Sequence, residues 1–485
     1  MKLSRRTAIA GAGAGVAASF AYFGRELIGN PASAKTFDLV AKAGRGRVRQ
    51  FDINDAFLFN GSVAPAPLVL DQNTPHLVRF ANELDTETTI HWHGLRPAHA
   101  MDGVAGVTQA AIKPGKEFNY TLVSPDAGTF WLHPHVSGFK QVGRGLACPL
   151  IVRENYETGF ASDYIVMLQE WCLNEAKNGL DENFLKGFIR NDFKNYDPFF
   201  SCNGAEKVNF ESNSGDWARL RLVQAGLMTR MTMTVQQGEA WVVAYDGHPT
   251  TPKQVTQDFD IWPGQRIDLA VRPNGSDRKV VVRGRGNVFD PANYPALRDD
   301  PQMFVEASVE FSAPKSNKPC PVLKPNPVPI ASHTDIEDLE LRIALTDAPA
   351  IVALAGKRPK APAGYMDANA EIWTLNGRFV GDGIEDVICM DKSPLFALKQ
   401  GQTYRLNIHN DSEEPHPIHL HGHVFQRVEK GGVPAKDAAC HDTLHVEADS
   451  ELNIVFVADR PGDWMLHCHN FGHQMQRMMH YIRVV

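Results

Sequence analysis

The sequence has no excess of positive charge. Its 49 Lys and Arg residues are outnumbered by 56 Asp and Glu, for a net charge of −7 and a pI near 6.3. The basic surface that phosphate binding needs is missing, which argues against a nucleic-acid partner. Long hydrophobic runs are also lacking: the Ala/Gly-rich stretch from Ala8 to Phe23 is shorter than the roughly 20 residues required to cross a bilayer. Cysteine is sparse, with seven in 485 residues, and the odd count leaves one unpaired in any scheme. Neither a nucleophile elbow nor a phosphate-cradling glycine loop is present, so Ser/His/Asp hydrolysis and nucleotide binding have no supporting motif. Low-complexity segments and close internal repeats are absent after the leader.

What remains is ordinary globular composition, 43% hydrophobic and 22% charged, enough for each domain to bury a core. The N-terminus carries Ser4-Arg5-Arg6, the short apolar run, Arg25 and Glu26, and then Ala32-Ser33-Ala34 as a small-x-small cleavage site. A general secretory signal or a weak anchor would also fit. The paired arginines and low hydrophobicity favour a twin-arginine signal over residues 1–34, read by the twin-arginine export machinery. The mature chain then starts near Lys35 as a periplasmic or secreted protein without stable membrane insertion. Outside the cytoplasm, Cys148, Cys172, Cys202, Cys320, Cys389 and Cys440 could form up to three bridges or stay as buried thiols, and the sequence does not choose.

Short β-branched and aromatic runs recur between turn signals: Leu68–Leu70, Phe118–Val123, Ile165–Leu168, Arg219–Val223, Ile267–Val271 and Leu452–Val457. Several alternate apolar with polar residues, as half-buried sandwich strands do. Helical periodicity is confined to connections, for example Leu173 to Leu185. The fold class is all-β. The polar segment Glu154–Asp163 and the segment Ala313–His333, with six prolines, read as linkers. They divide the mature chain into residues 35–155, 156–320 and 321–485, each suited to one sandwich.

Histidine is what the chain has in excess: nineteen, of which eleven lie between His409 and His480. Four clusters stand out: His91-Trp92-His93-Gly94, His133-Pro134-His135, His416-Pro417-Ile418-His419-Leu420-His421-Gly422-His423, and His467-Cys468-His469 followed by His473. In a strand, residues i and i+2 project from one face about 7 Å apart, so each His-x-His aims two imidazoles into one space. Imidazole suits copper, zinc and iron, and a thiolate narrows the choice. Alternation sends His467 and His469 to one face and the Cys468 sulfur to the other, joining an electron-entry site to a second metal cluster. His473, Met478 and His416 complete a two-histidine, one-thiolate site with a weak axial thioether, the ligand set of blue copper.

These four clusters in this order resemble the signature motifs of the multicopper oxidases, which include laccases, bilirubin oxidases and bacterial copper-resistance oxidases. The resemblance covers nearly the whole mature chain and implies three cupredoxin-like Greek-key sandwiches, with a copper cluster between the first and third. Motif by motif, it implies a type 1 copper on His416, Cys468 and His473 with Met478 axial, and a type 2 copper on His91 and His419. One type 3 copper would take His93, His133 and His469, and the other His135, His421 and His467. Ten histidines and one cysteine thus fill four copper sites. Met479 is the neighbouring rival for the axial position. His423 fits a supporting role beside the cluster. His76, His99, His248, His333, His409, His441, His445 and His480 have no motif support and read as surface or packing residues.

The resemblance implies one-electron oxidation of a reductant at the type 1 site, transfer through Cys468, and four-electron reduction of dioxygen to water. Asp102, in Met101-Asp102-Gly103, matches the position of a family acid that supplies protons, although Asp-Gly is also a turn signal. Asp442 stands in a region that often borders the type 1 site. A methionine axial ligand holds the potential below that of members with Leu or Phe there, favouring easily oxidised phenols, aromatic amines or metal ions. A cuprous or manganous oxidase is the nearest alternative, with Met228, Met231 and Met233 clustered in the middle segment but no methionine-rich insert in the third. A copper-free periplasmic scaffold would lack ligands, and a two-domain nitrite reductase would lack the type 3 pairs. The expectation is therefore a laccase-like oxidase of small organic reductants.

One departure from the family pattern generates a test. Many bacterial members carry a titratable glutamate directly after the second type 1 histidine, where this chain has Gln474. Gln474→Glu is expected to raise the rate of oxygen reduction above neutral pH, and an unchanged pH profile would contradict a proton shortage at this position.

Overall fold

The computed structural model describes residues 34–179, 181, 198–275, 277–287, 300–329, 331–332, 334–347, 371–378, 393–435 and 438–485. Residues 1–33 of the expected leader, His333, Cys389 and residues 180 and 182–185 of the Leu173–Leu185 periodicity lie outside them, and the described part of that stretch holds turns and bends and no helix. No helix among the described residues is long and apolar enough to cross a membrane.

The described strands form six sheets, paired into three sandwiches along the chain. Two four-stranded sheets span Thr36 to Arg153, a six- and a five-stranded sheet span Ser162 to Phe311, and a second such pair spans Ile336 to Val484. Sheet neighbours are often distant in sequence: Thr36–Val48 pairs in parallel with His76–Glu83, and Ile336–Asp347 with Thr403–Asn410. Such crossovers are those of Greek-key sandwiches. The six apolar runs anticipated from the sequence fall in strands, among them Leu68–Asp71, Glu117–Leu122 and Ser450–Val457, with Val123 alone just past its strand's end. Ser162–Cys172 takes in the last two residues of the expected first linker, with Asp163 in the ladder opposite Arg219. No helix or strand interrupts the described residues between Phe311 and Ile336.

Outer strands alternate cleanly. Along Lys207–Ser212, Val208, Phe210 and Ser212 are buried while Lys207, Asn209 and Glu211 face water. The strands nearest the sandwich junctions instead bury every residue: Gly128–His133, Cys148–Arg153, Ser162–Cys172 and Ala218–Gln224. Both faces of these strands are covered, one by their own sandwich and one by its neighbour. One apolar cluster joins Trp131 and Phe139 of the first sandwich to Ile165, Val223 and Met228 of the second and Phe471 of the third.

Buried charge also ties the first two sandwiches together. Arg219 donates to Glu154 (2.5 Å) and Asp268 (2.6 Å), and Arg221 makes a bidentate pair with Asp163 at 2.6 Å per bond. Thr129 of the first sandwich donates to Asp268 (2.7 Å) and accepts from Arg221 (2.8 Å). Removing one carboxylate would strand guanidinium charge in a dry place. Asp268→Ala is therefore expected to cost about 3–5 kcal/mol, read as a fall in the urea midpoint at unchanged m-value; a loss of only a few tenths would show the pair to be dispensable.

Candidate metal centre

Antiparallel register builds the site from two strand pairs. His91–His93 lies beside Gly128–His133 with His91 opposite His133, and His416–Leu420 lies beside Gly462–Cys468 with His419 opposite His467. The first pair belongs to the first sandwich and the second to the third. The histidine motifs thus meet across a junction that no single domain contains.

Four sets of ligand atoms converge, each set mutually within 4.8 Å and wholly buried: His91, His93 and His419; His93, His133 and His469; His135, His421 and His467; and His416, Cys468 and His473. Asp102 forms a fifth with His91 and His421. In the cysteine set, Sγ lies 3.4 Å from His473 Nδ1 and 3.8 Å from His416 Nδ1, and the two imidazole nitrogens are 3.0 Å apart. Met478 is buried in the same core cluster as Cys468, while Met479 packs with Val104, Met465 and Tyr481. That partition separates the two rivals for the axial position. Cys468 itself links two sets through its covalent neighbours His467 and His469.

Most rings are held from outside by one nitrogen. His91 Nδ1 meets the Asp102 carbonyl (2.9 Å), His133 Nδ1 the Pro134 carbonyl (3.0 Å), His467 Nδ1 the Cys468 carbonyl (2.8 Å) and His419 Nδ1 the Asp442 carbonyl (2.8 Å). His421 Nδ1 meets the Asp102 carboxylate at 2.8 Å, and His93 Nε2 the Asp442 carboxylate at 3.2 Å. His416 Nε2 is 3.0 Å from the Ser412 hydroxyl, and His473 Nε2 is 2.8 Å from Glu414. An outer hydrogen bond fixes the tautomer and turns the other nitrogen inward as a lone pair. Inward Nε2 of His91, His133, His135, His419 and His469 and Nδ1 of His93 have no protein partner. Buried polar atoms are rarely left so, and a ring of them is the signature of a donor set shaped for metal.

Electrostatics agree. Burial first, then neighbouring imidazoles, holds His93, His133, His135, His421, His467 and His469 well below the ordinary histidine value, and burial and His473 do the same to His416. Burial pushes the Cys468 thiol well above its ordinary value, so a bound cation is needed to make it a thiolate.

Asp102 sits fully buried between His91 and His421 and also closes a turn. Asp442 does not border the cysteine site. Its carboxylate faces His93 and pairs with Arg266, and the carbonyl takes His419. Burial would raise its carboxyl, but the Arg266 charge and hydrogen bonds from Arg266, His419 and His93 hold it well below the usual carboxylate range. His423 bonds the His421 carbonyl at 3.0 Å. The unassigned histidines that are described sit in packing or ion-pair contacts: His76 with Asp71, His99 with Asp463, His248 with Asn326, His409 with Glu340, His441 with Asp246, His445 on Trp262 and His480 with Tyr481. Gln474 is buried with Nε2 unpartnered. Glu414, Ser412 and Arg266 escaped sequence reasoning; only the acid two residues before His416 left a local trace.

The depressed histidines predict an acid-labile apoprotein. Their folded values lie below the ordinary 6.5, so on acidification the unfolded chain takes up protons first. Stability is then fully present above about 6.5 and lost as pH falls below it. The urea midpoint of metal-free protein should drop between about pH 7.5 and about pH 5.5, and a flat profile would contradict the assignment of neutral buried rings.

Models of multicopper oxidase domains match residues 45–157, 162–292 and 362–485 in turn. The chain is 28% identical over 452 residues to multicopper oxidase MmcO of Mycobacterium tuberculosis, covering 86% of this chain and 81% of that protein. It is 25% identical over 470 residues to Laccase-2 of Botryotinia fuckeliana, covering 86% and 76%. A solved multi-copper oxidase from Pseudomonas thermotolerans superposes with a TM-score of 0.75 at 27% identity, over 94% of this chain and 100% of that one. With three domain matches in order, histidine donor sets at the junction of the first and third sandwiches and a cysteine–histidine set inside the third, the chain belongs to the multicopper oxidase family of copper oxidoreductases.

Proposed function

We propose that the protein is a laccase-like oxidase that couples one-electron oxidation of phenols or aromatic amines to four-electron reduction of dioxygen to water. Four copper ions would be held: type 1 by His416, Cys468 and His473 with Met478 axial, type 2 by His91 and His419, and a type 3 pair by His93, His133 and His469 and by His135, His421 and His467. The inward, unpartnered nitrogens fit that load. Copper supplies the one-electron chemistry at both ends, oxidising the reductant and reducing dioxygen.

The observation that carries the choice of reductant is the Glu414–His473 edge. Glu414 is 42% exposed at its side chain while accepting from His473 Nε2 at 2.8 Å. Burial opposes its ionisation, but the hydrogen bond and charge of His473 outweigh it and leave the carboxyl below its ordinary value. A phenol O–H or an arylamine N–H reaching this edge meets an acceptor that can take its proton, while the adjacent imidazole offers the way in for the electron. Asp102, on His421, is placed to hold a proton beside the cluster. Met228, Met231 and Met233 are all buried in apolar cores, which leaves them unavailable as a docking surface for cuprous ions. A reduced metal ion is the second possibility, because the same carboxylate would attract a cation. Export by the twin-arginine route, to the periplasm or beyond, belongs to this proposal on the strength of Ser4-Arg5-Arg6.

Oxygen uptake by the copper-loaded protein should be faster with a dimethoxyphenol than with Cu(I) at matched concentration; the reverse order would make it a metal oxidase. Glu414→Gln should lower kcat/KM for the phenol by about tenfold, the lower end of what a charged hydrogen bond contributes, because the group is part-exposed.

A further inference from the structure

The second sandwich supplies no member of the histidine and cysteine sets, yet one of its arginines ends among them. Arg266 opens the strand Arg266–Arg272, directly after the turn at Pro263-Gly264, and is wholly buried. Its five N–H donors are all used. Nε donates to the Thr129 carbonyl (3.2 Å), and Nη1 to the Gly264 carbonyl (3.0 Å) and Asp442 Oδ1 (2.8 Å). Nη2 donates to the Asp246 carbonyl (2.9 Å) and Asp442 Oδ2 (2.5 Å). One guanidinium therefore touches all three sandwiches.

Asp442 is held so that Oδ1, while paired to Arg266, also faces His93 Nε2 (3.2 Å) and lies 3.5 Å from His419 Nδ1. Thr443 strengthens the arrangement, donating to Oδ1 at 2.8 Å with its own oxygen 3.1 Å from His419 Nδ1. Two glycines record how close the fit is. Gly94, next to His93 and at φ +87°, has no room for a Cβ, which would overlap the Arg266 guanidinium and stand 2.7 Å from Asp442 Oδ2. Gly264, at φ +89°, would place a Cβ 2.8 Å from the His469 ring. Gln265, between Gly264 and Arg266, donates to the Thr443 carbonyl at 3.0 Å. The whole turn is wedged against the ligand set.

We propose that Arg266 is a positioning residue for the dioxygen-reducing cluster: its two-pronged grip on Asp442 sets the ring orientations of His93 and His419, so the second sandwich governs a metal centre to which it gives no ligand. This inference rests on the copper assignment proposed above. A clasp that only joined domains would have no need to aim the remaining lone pairs of its carboxylate at two imidazoles of the donor set.

The test compares full-length, copper-loaded Arg266→Lys and Arg266→Met with the parent. The copper–thiolate visible band, its potential and KM for the reductant should be unchanged. The paramagnetic resonance of the copper that lacks a thiolate should shift, and affinity for cluster copper should fall about 10- to 100-fold, with kcat falling alongside. Lys should not rescue, because a single ammonium cannot engage both carboxylate oxygens as the planar fork does. A parent-like resonance, copper content and kcat in Arg266→Lys would overturn the proposal. Should Arg266→Met not fold, Arg266→Lys decides, since it leaves Asp442 opposite a charge. The neutral pair Arg266→Met/Asp442→Asn adds a second route: cluster spectra equal to those of Asp442→Asn alone support action through Asp442, and additive changes refute it. A parent protein that takes up copper without any copper–thiolate band would instead overturn the copper reading itself.

Discussion

Eight imidazoles converge on one dry volume between the first and third sandwiches, and the inward nitrogens of His91, His93, His133, His135, His419 and His469 are left without a protein partner, while those of His421 and His467 face each other at 3.0 Å. A buried lone pair without a donor is costly, so the chain left to itself would turn the rings to find partners. Outward hydrogen bonds prevent that. Backbone carbonyls of Asp102, Pro134, Asp442 and Cys468 hold rings that sit within or next to their own strand pair, while the carboxylates of Asp102 and Asp442 reach rings across the junction. The folded apoprotein therefore stores a metal-shaped arrangement whose stability is coupled to the ion it is built to take.

Ring orientation alone would fail if the sandwiches could shift. The junction is fixed by apolar packing around Trp131 and Phe471 and by guanidinium groups buried beyond contact with water, Arg219, Arg221 and Arg266. Buried ion pairs add little net stability compared with apolar packing, but they tolerate only one geometry. That property suits a site where fractions of an ångström decide ligation. The second sandwich, without a ligand of its own, takes part in the site through this rigidity.

Two chemical tasks are kept apart by strand alternation. Cys468 points into the core of the third sandwich toward His416, His473 and Met478, while His467 and His469 point to the junction. Glu414, 42% exposed at its side chain, stands at the outer edge of the cysteine set, and Asp102 and Asp442 are buried against the histidine cluster. Under the proposed copper assignment, reductant and dioxygen would be handled on different faces of one short strand.

Much of this was legible in the chain. His-x-His and His-Cys-His carry their meaning locally, because a two-residue period projects alternate side chains to opposite faces whatever the rest of the fold does. The alternating apolar runs likewise determined the all-β class, and the residues after Cys468 narrowed the axial methionine to Met478 or Met479. Spacing alone does not say which histidines share a site; the resemblance implied the sets, and the tertiary structure brings them together, His93 meeting His419 and His469 from another domain. It decided that Asp442 lies against the histidine cluster and not the cysteine site, that the clustered methionines are core residues, and that Arg266 and Glu414 reach these groups at all. Those assignments depend on contacts between residues hundreds of positions apart, set by how three sandwiches dock, and no local spacing encodes a docking geometry.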